Sequence, residues 1–425
     1  MQTMPKSRTH ILYIAEFSTG GSVESLLCLV GGLDKQAYKA TVLFYTMPDP
    51  AMCDRFEAAG ASIASLYPHH SSEGAAKDLR KLSLQTKVRR IFGQRIERVY
   101  ESLKFALRFL RFQLPVYRAI CRKIAEIHPD LVHLNNGADT DTPGILAARS
   151  RKIPSVCHVR TFGKVTYLGI AAARSVRVFL CISNAVRGQL VEYGVELSRC
   201  VVVPNAVNTD RFNESDVSAA DIRTEFGWDK SQNVFSLVGR VVSWKGQDFF
   251  IEAITEARKT DATIRGLIVG DSELSNSGAA YLAKLQSLIV ELGLEDSVKF
   301  TGHRSDIPSI MKASDAVICA SSSPEPFGRV IIESMAVGTP VVATNAGGAT
   351  DIVSDGINGM LVPVRDSEAL ADAMLRLARD GDFVRELRSA AMRTIADRYT
   401  VRHHVDQVCG IYDSVLEPQL RNSTL

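Results

Sequence analysis

The sequence predicts an α/β protein made of two doubly wound parallel-sheet domains. Three observations carry this prediction. At 425 residues the chain has room for two or three domains of about 150 residues each. Short β-rich runs alternate with helix-like stretches in two separate series, the signature of βαβ units. A polar segment rich in turn formers separates the series. The first series runs through His10 to Phe17, Ala40 to Tyr45, Leu131 to Leu134, Ser155 to Val159, Arg177 to Cys181 and Val201 to Val203. The second runs through Val234 to Val238, Gly266 to Val269, Val298 to Thr301, Ala316 to Cys319, Pro340 to Ala343 and Met360 to Val362.

The joint, PNAVNTDRFNESDVS near residues 204 to 222, reads as a linker. This gives an N-terminal domain over 1–204, a C-terminal domain over 205–400, and a final segment, 401–425, expected to return toward the first domain. Residues 382 to 418 read as helical throughout. Composition excludes several classes. Hydrophobic residues make up 46% and charged residues 23%, ordinary for a globular protein, and no apolar run approaches the roughly 18 residues of a membrane span. The eight cysteines form no CxxC pair, so they read as thiols in a reducing compartment. The apolar run Ile11 to Ala15 is too short for a secretory signal core, which points to the cytoplasm. Net charge is only +3, yet residues 77 to 123 carry 14 Lys or Arg against 3 Asp or Glu, +11, leaving the remainder at −8.

The richest stretch for chemistry is SSSPEPFGRVIIESMAVGTPVVATNAGGATDIVSDGINGMLV, residues 321 to 362. Its turn formers follow the strand Ala316 to Cys319, so the loop Pro324 to Gly328 belongs at the carboxyl end of a strand, where open α/β sheets hold ligands. Gly328 then opens a helix whose first amides suit an anion such as a diphosphate. Glu325 lies in the loop and Glu333 on the second helical turn, so both carboxylates can meet one ligand at different depths.

The setting EPFGRVIIESMAVGTPVVAT resembles the motif of two glutamates with seven residues between them in retaining GT-B glycosyltransferases, especially family 4. VPNAVNTDRF (203–212), VGRVVSWKGQDFFIEAI (238–254) and GGSVESLL (20–27) resemble further family segments in the same order. The resemblance spans about residues 10 to 400. It implies the GT-B architecture, two Rossmann-like domains facing across a cleft, and transfer of a sugar from a UDP- or GDP-sugar to a glycan or lipid-linked acceptor, as in polysaccharide biosynthesis. It further implies that Arg240 and Lys245 hold the donor diphosphate, that Glu333 accepts the ribose hydroxyls, and that Glu325 contacts the transferred sugar. Phe327, Gly328, Arg329 and Val330 would meet the phosphates or sugar, largely through backbone amides. The loop Thr301 to Arg304 would grip the base, with His303 stacking on it or standing as a surface histidine. Two cations beside a leaving diphosphate replace a metal, so no metal or other cofactor is expected. The implied mechanism is front-face displacement, with the leaving phosphate taking the acceptor proton. An epimerase or hydrolase on the same fold, or a noncatalytic nucleotide-sugar binder, is the alternative.

In the first domain, Gly20 and Gly21 follow the first strand without the GxGxxG spacing of a dinucleotide site. The resemblance brings this loop to the donor phosphate and acceptor. It likewise assigns His158, in VCHVRTFG, to the donor sugar, whereas position alone also allows a core histidine. Arg160 and Lys164 are candidates for an acceptor or donor phosphate. Ser183 suits an N-cap. Asp139 and Asp141 form a DTD sequence like the metal-binding DxD of other sugar transferases, but helix capping and first-turn charge suffice to explain them. In the basic window, LKFALRFLRF (103–112) sets Lys104, Arg108 and Arg111 among Phe and Leu, an amphipathic helix suited to an anionic membrane surface or to its own domain. A peripheral position at the inner membrane face follows from the first option. No nucleic-acid module is present in the sequence.

Overall fold

The computed structural model describes residues 8–16, 20–67, 113–163, 165–213, 218–272 and 276–422. Lys164 and residues 77–112 of the basic window lie outside the described residues. The chain divides into two units, one built from residues 1–204 and 404–425, the other from 205–403.

Among its described residues the first unit holds seven parallel strands: β1 (Thr9–Ala15), β2 (Tyr38–Thr46), β3 (Ala61–Tyr67), β4 (Leu131–Leu134), β5 (Ser155–Val159), β6 (Val178–Cys181) and β7 (Cys200–Val202). They lie in the order β3-β2-β1-β4-β5-β6-β7. The order reverses between β1 and β4, so the loops that follow these strands diverge and leave a ligand crevice at their carboxyl ends. Ile11 to Ile14, Leu131, Val132 and Val156 are fully buried, as strands covered on both faces require. β3 is absent from the expected series. It is an edge strand, ASIASLY, half-exposed beyond Ala61, and so carries no continuous apolar run.

Among its described residues the second unit holds six parallel strands: β8 (Asn233–Val238), β9 (Ile264–Val269), β10 (Val298–Gly302), β11 (Ala316–Cys319), β12 (Val341–Thr344) and β13 (Met360–Val362). Their order is β10-β9-β8-β11-β12-β13, with the reversal between β8 and β11. Phe235, Phe250, Ile251, Ile254, Ile268 and Met374 form a fully buried core between the sheet and the helices Gln247–Arg258 and Ser367–Arg379. Burial of each such side chain contributes about 1.5–3 kcal/mol.

Two sequence expectations need correction. The stretch 204–222 is not linker throughout: the helix Thr209–Asn213 lies in it, the helix Ala219–Glu225 begins in it, and Ile222 packs beside Trp228 and Ile310. The tail is not helical throughout 382–418: it breaks between the helices Gly381–Arg398 and Val401–Asn422. The break is at Tyr399, whose carbonyl accepts the Val207 amide at 2.9 Å, so the backbone pairs sideways instead of continuing the helix. From His404 onward the last helix belongs to the first unit, where Tyr412 Oη lies 2.5 Å from His133 Nδ1 and donates to Tyr13 Oη at 3.2 Å.

Candidate active site

In the second unit the loops after β8 and β11 meet at the reversal in strand order. Val238 leads through Gly239 to Arg240, then a 3-10 turn, Ser243–Lys245, and the helix Gln247–Arg258. Gly246 links turn to helix with φ 73°, and a Cβ there would lie 1.9 Å from the Ala320 carbonyl oxygen. Only glycine permits that approach, which seats Lys245 directly over the end of β11. The buried Gln247 donates to the Arg240 carbonyl at 2.9 Å and closes the loop, while the Arg240 side chain is exposed.

Lys245 Nζ donates to both oxygens of Glu325, at 3.0 and 2.9 Å, and lies 4.3 Å from the centre of the Trp244 ring. Ser321 Oγ donates to Glu325 Oε2 at 2.7 Å. The Glu325 backbone is held as firmly: Gly348 N donates to its carbonyl at 2.6 Å, and a Cβ on Gly347 would come within 2.2 Å of that oxygen. Charge-assisted bonds of this kind are about twice as strong as neutral ones. The glutamate is 7% exposed, so these donors stand in for the water it has lost. Beneath it, burial and then the Glu325 charge push the Cys319 thiol up to about 11, leaving it inert.

Three residues after Glu325, Gly328 precedes the helix Arg329–Ala336, and Arg329 Nη2 donates to Glu333 Oε1 at 2.7 Å. The Ile331 amide donates to the Gly328 carbonyl at 3.0 Å. Phe327 is buried, its ring 6.2 Å from that of Tyr399, so its side chain is part of the core under the loop. Val330 is half-buried on the first turn. His303 is exposed, and its amide donates to Asp271 Oδ1 at 3.0 Å, which ties the loop after β10 to the loop after β9.

The first unit collects its candidates at the carboxyl ends of β1, β4 and β5. Gly20 and Gly21 start the helix Gly21–Gly32, with the Gly20 carbonyl accepting from Val23 N at 3.1 Å. Arg160 directs Nε and Nη2 onto Asn135 Oδ1 at 3.1 and 3.0 Å, and Asn135 Nδ2 donates to the Ser22 carbonyl at 3.2 Å. His158 is fully buried, its ring 5.6 Å from that of His404 and 5.5 Å from that of His133. Burial, then the Arg160 charge, push the imidazoles of His158 and His133 well below the usual range, and that of His404 down to about 3. All three are therefore neutral at physiological pH. Ser183 Oγ accepts from Val186 N at 3.1 Å, the expected cap. Asp141 does not cap its helix: its carboxylate turns back to the amides of Asn136 and Gly137 at 2.9 and 2.8 Å. Asp139 accepts from Thr166 N at 3.1 Å. Burial raises both carboxyls to about 6, and these loop contacts account for the pair. All eight cysteines are free thiols, four of them buried.

Ser321, Asn135 and His404 escaped sequence reasoning. The signals were present in the serine triplet after β11 and the paired asparagines after β4, but each looked like turn chemistry. Nothing in the tail marked His404 as a partner of His158, 246 positions earlier.

Two successive Rossmann-like units, each with ligand-facing loops at the reversal in strand order, define the GT-B class of fold. Solved structures agree. The chain superposes on Anabaena HepE in complex with UDP-glucose with a TM-score of 0.77 at 24% identity, over 96% of this chain and 100% of that chain. A glycosyltransferase from Rickettsia africae also gives 0.77, at 19% identity over 97% and 99%. Residues 19–211 match the model for Glycosyltransferase Family 4, and residues 218–394 match that for Glycosyl transferases group 1. The chain belongs to the group 1 glycosyltransferases of the GT-B fold. It is similar to D-inositol 3-phosphate glycosyltransferases of Saccharomonospora viridis, 33% identical over 49% of each protein, and Geodermatophilus obscurus, 29% identical over 70% of each. It is also 30% identical to the alpha-D-kanosaminyltransferase of Streptomyces kanamyceticus, over 49% of this chain and 52% of that protein. Apart from the Geodermatophilus protein, the chain spans about half the length of these curated relatives.

Proposed function

We propose that this chain transfers a sugar from a nucleoside-diphosphate sugar to a hydroxyl of a sugar, glycan or lipid-linked acceptor, with retention at the anomeric carbon and no metal. The observation that carries the reading is the juxtaposition of Lys245, Glu325 and the Arg240 loop at the carboxyl ends of β8 and β11. The bond from the anomeric carbon to the diphosphate breaks, the acceptor oxygen bonds to that carbon, and the acceptor proton passes to the leaving phosphate. Charge therefore grows on the diphosphate, and cations aimed at it lower the barrier. The Lys245 ammonium has three donors. Two directed at Glu325 leave the third for a phosphate oxygen, while Glu325 is held where a sugar hydroxyl can bond to it. Glu333 takes the ribose. The UDP and UDP-glucose complexes of the Anabaena relative favour a UDP-sugar over a GDP-sugar donor, and the relatives named for D-inositol 3-phosphate make a phosphorylated cyclitol an acceptor to try beside lipid-linked sugars.

A thermal-shift screen over UDP-, GDP- and ADP-sugars selects the donor. Product analysis then compares that donor alone, with D-inositol 3-phosphate, and with a lipid extract. Retained glycoside only when acceptor is present supports transfer. An altered or free sugar from donor alone would identify an epimerase or a hydrolase, and binding without turnover a noncatalytic protein.

Attachment to an anionic membrane through residues 77–123 rests on the +11 charge of that window, because each Lys or Arg near such a surface is worth about 1 kcal/mol. Among the described residues no helix is long and apolar enough to cross a membrane. Flotation with anionic vesicles should decline with added salt and after Lys104, Arg108 and Arg111 are replaced by Glu; equal recovery with neutral vesicles would remove the membrane role.

A further inference from the structure

The first unit contains a concentration of positive charge at the amino ends of strands β5 to β7. A concavity of about 660 Å³ is lined by Arg149, Lys152, Arg174, Arg177 and Arg199 together with Pro154, and by no acidic residue. Pro154, Arg177 and Arg199 each directly precede a strand, β5, β6 and β7 respectively. The concavity therefore sits at the amino ends of these strands, whereas His158 and Arg160 mark the carboxyl end of β5. Five residues of strand separate the two ends, about 16 Å.

Local structure explains only part of the cluster. Arg199 buttresses the wall: its guanidinium donates to the Ala173 carbonyl at 2.8 Å and to that of Val176, and lies 5.7 Å from the centre of the Phe179 ring. Arg149 and Arg174 lie at the carboxyl ends of the helices Thr142–Ser150 and Tyr167–Ala173, where the helix dipole favours a cation. Neither reason covers Lys152 or Arg177. Lys152 has φ 57°, a left-handed conformation in the turn after a helix that glycine would occupy with less strain. Arg177 uses its backbone to join the sheet, donating to the Ser155 carbonyl at 2.8 Å, and leaves its side chain exposed at the rim. Among the described residues Arg149, Lys152, Arg174 and Arg177 form no ion pair. Cations gathered in one concavity repel one another, and an anion relieves that repulsion.

We propose that this concavity binds a ligand bearing two or more phosphate groups, at a site separate from Arg240 and Lys245. Its volume suits a small molecule or a single headgroup. Planar guanidinium forks match phosphate oxygens in pairs, and four arginines provide more donors than one phosphate can use. The same chemistry is offered by a soluble polyphosphorylated compound and by the headgroup of a lipid with two phosphates.

The test compares the full wild-type chain with Arg174→Glu/Arg177→Glu, so that any phosphate held elsewhere contributes equally to both. Calorimetric titration with sodium tripolyphosphate reads the soluble source. Flotation with phosphatidylcholine vesicles containing cardiolipin, with and without tripolyphosphate as competitor, reads the lipid source. Loss of one charge-assisted bond is worth about tenfold in affinity. The double variant should therefore bind at least one of the two probes tenfold more weakly or worse, while its melting temperature without ligand is unchanged or higher. Lys152→Gly should weaken binding in the same direction without loss of stability, since glycine suits that backbone. Weakening with tripolyphosphate alone identifies a soluble ligand, and weakening with vesicles a headgroup. Unchanged affinity of the double variant for both probes would overturn the site. So would a DNA duplex that binds more tightly than tripolyphosphate and is lost in the same variant, because the partner would then be a polymer.

Discussion

At Lys245 two demands meet. The ammonium must reach a developing phosphate charge, yet it is fixed in place by Glu325, itself fixed by Ser321. Lys245→Ala or Arg240→Ala should lower turnover by about 10²-fold or more, the scale of removing a group that stabilises transition-state charge. Steady-state kinetics near wild type in both variants would mean that the donor diphosphate lies elsewhere. Ser321→Ala should reduce kcat by about tenfold with little change in donor affinity, because Glu325 Oε2 loses one of its two donors while the lysine remains. An unaltered kcat would assign that serine to local structure alone. The two glutamates and two cations were legible in the sequence because their spacing is tied to a strand, a loop and a helix start. The pairing of Lys245 with Glu325 was not: 80 positions separate them, and only the alignment of β8 beside β11 makes them neighbours.

The elements most legible from sequence are those buried on both faces. β4, β5 and β11 match the expected spans residue for residue, since each is a short uninterrupted β-rich run. β12 begins at Val341, one residue after the expected Pro340, because a proline has no amide to give the ladder. The edge strand β3 and the break at Tyr399 depend on partners distant in sequence, which local periodicity does not contain. At this scale Gly246 is the most constrained joint. Gly246→Ala combines a left-handed backbone with a carbon driven into the Ala320 carbonyl, and should cost about 2 kcal/mol or more. A drop in melting temperature of roughly 4–8 °C is the expected readout. A variant as stable as wild type would show that the turn can relax away from β11.

For the whole molecule the main acid-sensitive feature is the histidine cluster. His133, His158 and His404 are held neutral by burial and by Arg160, so the unfolded chain binds protons that the folded chain refuses. Their contribution to stability is complete above pH 6.5 and is lost as pH falls, for His404 down to about 3. Each such histidine adds a slope of about 1.4 kcal/mol per pH unit within its window. Asp139 and Asp141 oppose this: their raised pKa, about 6, means that the fold gains relative stability from about pH 6 down to 3.8. Three histidines outweigh two carboxyls, so the urea midpoint should fall between pH 7 and pH 5, and His404→Gln should flatten the decline. A midpoint independent of pH over that range would show that the cluster accepts protons without opening.

The passage of the chain out of the first unit at Pro204 and back at His404 also bears on synthesis. On the ribosome, β1 to β7 emerge first, but the side chains that cover Tyr13, His133 and His158 are still about 200 residues away. At 5–20 residues per second that interval is roughly 10–40 s. During it the second unit, continuous in sequence, can complete its own sheet while the older one waits with an uncovered apolar and aromatic face. The first unit, begun earliest, is thus the one whose completion must wait for the end of translation.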